Sequence, residues 1–111
     1  MSKKILGQSN PAATTVTTLY TVASSKEAVI STISVANTTA TAATFRLILQ
    51  PSADVSATIL TKQYLAYDIT VGASDSTVIT IGLTMATGDA IKVYASTATL
   101  AFQAFGDEAT A

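Results

Sequence analysis

Apolar residues recur at every second position along most of the chain, and the alternating runs are short. In "ATFRLILQ", residues 43–50, Phe45, Leu47 and Leu49 share one parity while Thr44, Arg46 and Gln50 take the other. A period of two marks a strand with one buried face. The same reading covers "TVTTLYTV" (15–22), with Val16, Tyr20 and Val22 on one face, and "AVISTISVAN" (28–37), with Val29, Ile33 and Val35 opposed to Ile30. It covers "QYLAYDITV" (63–71), with Leu65, Tyr67, Ile69 and Val71 opposed to Tyr64, Ala66 and Asp68. "TVITIGL" (77–83) sets Ile79, Ile81 and Leu83 inward; "IKVYAS" (91–96) sets Ile91 and Val93 inward with Lys92 and Tyr94 outward. "LAFQAFG" (100–106) closes the series, and "KKILGQ" (3–8) makes a possible eighth run.

Turn signals separate these runs: "SSKE", "PSAD", "GASD" and the Gly88-Asp89 step. No window of ten residues carries helical periodicity, which disfavours a parallel βαβ design. Seven or eight short strands at close spacing predict an all-β fold, an antiparallel β-sandwich of the jelly-roll or immunoglobulin kind. The expected core is Phe45, Leu47, Leu49, Ile79, Ile81, Ile91, Val93 and Phe102. The polar, small-residue ends read as an N-terminal arm over 1–14 and a C-terminal tail over 107–111, flanking a sandwich domain over 15–106.

Composition agrees with sheet. A chain of 111 residues suits one domain and can bury about two-thirds of its extended surface. It holds 20 Thr and 20 Ala, and β-branched Thr fits a half-buried pleated surface. Charged residues are only 12% and the net charge is −1. The six basic residues are scattered, so no basic patch points to direct nucleic-acid binding. A surface so poor in charge is weakly protected against association, which points to coverage by partners. No apolar run reaches the ~20 residues of a membrane helix, and the start lacks the apolar segment of a signal peptide.

Chemistry is sparse. With no His and no Cys in the chain, Ser-His-Asp triads, Cys nucleophiles and the usual zinc sites are excluded within it. Paired carboxylates are open in principle among Asp54, Asp68, Asp75 and Asp89, but Asp54, Asp75 and Asp89 fall in predicted turns, where Asp bonds its own backbone. No loop has the dense acidic spacing of a calcium site, and no glycine-rich loop has phosphate-binding spacing. The expectation is a non-enzyme without cofactor or metal. The tyrosines admit two readings. Either Tyr67 joins the core beside Leu65 and Ile69 while Tyr64 covers the other face, or Tyr64 and Tyr67 with Lys62 form a sugar-stacking or partner-contact patch; Lys62, Tyr64 and Tyr94 are the candidate contact residues. A glycan-binding groove would have Tyr64, Tyr94 and Tyr20 to draw on.

The order of landmarks "LYTV", "VISTISVAN…TATFRLIL", "TKQYLAYDITV", "GLTMATGDAIKVYAS" and "LAFQAFGDE" resembles a family of small structural proteins of tailed bacteriophages. The resemblance spans about residues 5–108, and "GLTMATGDAIKVYAS", "TKQYLAYD" and the terminal "AFG" are its most specific elements. These are scaffold patterns and carry no functional residues. What the resemblance implies is a virion part assembled in the host cytoplasm. The leading form is a capsid decoration (cement) protein, a homo-oligomer on the major capsid protein, trimeric by analogy with other decoration proteins. A tail, neck or baseplate component and a carbohydrate-binding host-attachment module are the alternatives.

Overall fold

Eight strands form from these runs in a computed structural model that describes residues 2–111. They are β1 (Ser2–Ser9), β2 (Thr17–Thr21), β3 (Lys26–Asn37), β4 (Ala43–Gln50), β5 (Tyr64–Val71), β6 (Ser76–Met85), β7 (Ala90–Ala95) and β8 (Leu100–Thr110). Two single 3₁₀ turns, Ser52–Asp54 and Thr61–Gln63, lie between β4 and β5. The strands build two four-stranded antiparallel sheets, ordered β1-β8-β3-β6 and β2-β7-β4-β5. Every connection except β4–β5 passes from one sheet to the other. That order is the double-sheet jelly roll, which decides between the two kinds of sandwich expected.

The core lies between the sheets. Phe45 and Phe102 are fully buried and meet edge to face with ring centroids 6.0 Å apart. Ile30, Ile33 and Val35 from β3 face Leu47, Ile91 and Val93 from the other sheet. Five of the eight expected core residues, Phe45, Leu47, Ile91, Val93 and Phe102, are buried. Leu49, Ile79 and Ile81 pack against the core but stay half-exposed; the two isoleucines lie on an edge strand. Asn37 is a buried polar exception. Its amide donates to the carbonyls of Thr41, Val71 and Gly72, and its Oδ1 accepts from the Thr39 N–H and hydroxyl. It ties the ends of β3 and β5 to the loop before β4.

Bulges correct the simple alternation. Ser31 is an extra residue of β3 opposite β8, between the pairs Ile30–Gly106 and Thr32–Phe105. The bulge inverts parity, so Ile30 is buried together with Ile33 and Val35 instead of opposing them. Leu19 is likewise the extra residue of β2 opposite β7. Leu19 is therefore buried while Val16, outside the strand, is exposed.

The ends are strands as well, where an arm and a tail were expected. Of the segment 1–14, Met1 lies outside the described residues and Ser2–Ser9 is β1, paired along β8. Asn10 donates to the carbonyls of Ala98 and Leu100. At the other end β8 runs on to Thr110. These segments hold on through backbone pairing and polar contacts, which hydropathy does not register. Lys4 Nζ donates to Glu108 Oε1 at 2.7 Å, and Gln8 to Gln103 at 2.8 Å.

Glu108 also accepts the Tyr20 hydroxyl at 2.6 Å, joining β1, β8 and β2 across the two sheets. The Lys4 hydrogen bond, then that of Tyr20, hold the Glu108 carboxyl below its ordinary pKa. A depressed folded-state pKa gives stability that is present above the unfolded value of about 4.3 and lost as pH falls through the folded one. Glu108→Gln should therefore be less stable than wild type at pH 7, with the gap shrinking as pH falls below about 4. Urea midpoints across that range check it, and a gap independent of pH would contradict it.

Candidate functional site

The outer face of the β2-β7-β4-β5 sheet brings together Arg46, Asp68, Tyr64, Tyr67 and Tyr94. Alternation along β4 turns Arg46, Ile48 and Gln50 away from the core side of Phe45 and Leu47. Ile48 and Gln50 are nevertheless fully buried. The segment 51–63 folds back over them: Gln50 donates to Gln63 Oε1 at 3.0 Å, and Lys92 Nζ donates to the Val55 carbonyl at 2.7 Å. This cover stops short of Arg46.

Arg46 is paired in register with Tyr94 on β7. On its other side β5 bulges: between the pairs Phe45–Ile69 and Leu47–Ala66, Tyr67 and Asp68 together oppose Arg46. Asp68 takes a left-handed backbone, φ 52°, a conformation Asp tolerates better than most residues. The bulge moves Tyr67 and Leu65 out of the inward parity. Tyr67 is 55% exposed and Leu65 and Ile69 are exposed too, so the expectation that Tyr67 joins the core beside them is corrected.

The result is a stack. The Arg46 guanidinium lies 4.1 Å from the Tyr67 ring centroid and 4.3 Å from that of Tyr94. Arg46 Nε donates to Asp68 Oδ1 at 2.7 Å, and Nη2 to Oδ2 at 3.3 Å. That hydrogen-bonded pairing raises the Arg46 pKa further above its ordinary value, so the cation persists at every working pH. Tyr64 meets Tyr67 edge to face with centroids 5.0 Å apart. A recess of about 450 Å³ lined by Ile59, Thr61, Tyr64 and Tyr67 adjoins the stack.

Of the three residues singled out from sequence, Tyr64 and Tyr94 reach this face and are linked through Tyr67 and Arg46. Lys62 sits apart, lining a separate recess with Leu49, Pro51, Asp54, Gln63 and Asp89. Tyr20 is engaged by Glu108, and its burial is the main cause of its raised pKa. Sequence reasoning weighed Tyr67 for such a patch but missed Arg46 and Asp68. The available signal was that Arg46 is the only arginine of the chain and takes the outward parity of a strand otherwise rich in apolar residues.

The other carboxylates considered from sequence, Asp54, Asp75 and Asp89, bond within turns and packing contacts. Asp89 accepts from the N–H groups of Ser52 and Ala86, Asp75 from that of Ser76, and Asp54 from the Gln63 amide. Among the described residues no group of three or more acidic side chains is placed to hold a metal ion. What the stack offers is contact. Two tyrosine rings held by a cation, itself held by a carboxylate, give a stiff amphipathic surface whose side chains lose little entropy on binding. No family model, curated protein or solved structure matches the chain.

Proposed function

We propose that this protein is a non-enzymatic structural component of a bacteriophage virion, a capsid decoration protein that works as a homo-oligomer and meets the major capsid protein through the Tyr94–Arg46–Tyr67 face. One observation carries the contact reading: an exposed aromatic ring braced by Arg46 on a rigid sheet. Tyr and Arg are the residue types that dominate interface energetics. The virion half is supported by the resemblance of the landmark segments and by the low surface charge. A jelly roll is common to capsid and lectin domains, so the fold is compatible with the role without specifying it.

Co-sedimentation with purified heads tests the contact. Tyr67→Ala should weaken attachment by roughly 30-fold, the ~2 kcal/mol of an interface hot spot. Stability should change little, because the ring is more than half exposed. Attachment equal to wild type would remove this face from the interface. The recess beside Tyr64 and Tyr67 favours a second reading, carbohydrate binding for host attachment. A glycan screen in which Tyr67→Ala abolishes binding would establish that reading in place of the capsid contact.

A further inference from the structure

A sheet edge exposes unpaired N–H and C=O groups, and proteins usually guard such edges with charge, shortness or irregularity. The two sheets have four edges: β1, β2, β5 and β6. β1 carries Lys3 and Lys4. β2 is only five residues long and is broken by the Leu19 bulge. β5 carries Asp68 in a left-handed conformation within its own bulge. β6 is ten residues, "STVITIGLTM", with no charge and no proline, inside a stretch (76–88) without a single charged residue.

A bulge at Ile81–Gly82, where two residues oppose Ser31, interrupts β6. Before it, Ser76–Thr80 runs in unbroken register with Ala36–Thr32. Val78 is the middle residue of this regular run. At 61% it is also the most exposed large hydrophobic side chain among the described residues.

We propose that β6 pairs edge to edge with β6 of a second copy, antiparallel about a two-fold axis through Val78. This gives the self-association in the proposed function a surface, and it rests on that half of the reading alone. The register follows from the symmetry. Val78 stands opposite Val78 of the second copy, Thr77 opposite Ile79, and Ser76 opposite Thr80. Every pair is neutral, and a β-branched pair lies at the centre, a favourable cross-strand combination. An isologous contact requires a self-complementary patch. An uncharged strand meets that condition, whereas pairing β6 with a charged edge would set Lys or Asp against apolar side chains. The join continues the β1-β8-β3-β6 sheet into one of eight strands and covers the half-exposed Ile79.

In this register the regular runs of the two copies, Ser76–Thr80, overlap along about 17 Å, a contact at the small end of the range for interfaces, so the dimer fills as protein concentration rises. A two-fold pair differs from the three-fold count expected by analogy, and solution mass separates them.

Sedimentation equilibrium of the full chain should give 22.6 kDa, twice 11.3 kDa. Val78→Lys sets like charges face to face and should weaken association at least about tenfold. Because the chain has no Cys, Val78→Cys offers a second readout that leaves the strand uncharged. Mild oxidation should convert it to a covalent dimer, while Val16→Cys, exposed outside the strands, should stay monomeric on denaturing gels. A wild-type monomer or a trimer overturns the pairing, as does a dimer that Val78→Lys leaves intact and Val78→Cys fails to cross-link. A dimer that responds to both variants but does not attach to heads supports the pairing and overturns the capsid reading.

Discussion

Phe45→Ala should cost about 3–5 kcal/mol, the range for removing a fully buried aromatic ring. The ring has no exposed surface, lies in the middle of the sandwich and contacts Phe102 edge to face. The loss combines transfer of the ring's apolar surface, an unfilled cavity between two sheets whose backbones are fixed by ladders, and the missing aromatic pair. A small domain is held by only about 5–15 kcal/mol, so a large fraction of the margin goes. Phe45→Leu keeps most of the volume and should cost much less. Urea unfolding with an unchanged slope and a shifted midpoint is the expected record. A loss below about 1 kcal/mol would place the ring outside the core.

Gly106→Ala should be the most damaging of the small substitutions. A Cβ at this position would lie 2.0 Å from the Val29 carbonyl oxygen and 3.0 Å from Ile30 Cα. Both are backbone atoms of β3 beside its Ser31 bulge, and β8 is held between β1 and β3. Neither side can yield without breaking ladder hydrogen bonds. The cost should reach the upper part of the range for overpacking, about 3 kcal/mol or more. Gly82→Ala makes the same chemical change on the edge strand β6, where a Cβ meets nothing within 4 Å. It should be neutral or stabilising by a few tenths of a kcal/mol, through the entropy of the unfolded chain. Equal effects at the two positions would mean that the close approach of β8 and β3 is absent.

Alternation made β4 and β7 legible because both are regular where they pair with each other: Phe45, Leu47, Ile91 and Val93 are inward, and Arg46 and Tyr94 outward. It misled wherever one residue was inserted. A bulge inverts every later side chain, and in strands of Thr, Ser, Val and Ile it leaves no compositional trace. Ile30 and the core reading of Tyr67 were misplaced for that single reason. The ends were missed on different grounds. β1 pairs through its backbone, through Lys4–Glu108 and through Gln8–Gln103, and a hydropathy pattern registers none of these.

The candidate site was half legible. Tyr64 and Tyr94 stood out as rare aromatics at outward positions. Joining them required knowing that β4 lies between β7 and β5, a tertiary fact. It also required the bulge that presents Tyr67 and Asp68 together to Arg46. The strand order likewise separates what 61–71 holds in sequence: Tyr64, Tyr67 and Asp68 join the stack, while Lys62 faces the neighbouring recess.

The claim that the chain is a decoration protein is tested most directly by where it resides in the particle. Tail-free heads and isolated tails, purified separately and quantified by mass spectrometry, give the answer. Many copies per head, in a fixed ratio to the major capsid protein, and depletion from tails are the expected result. Recovery with tails alone would contradict it and assign the protein to the tail, neck or baseplate.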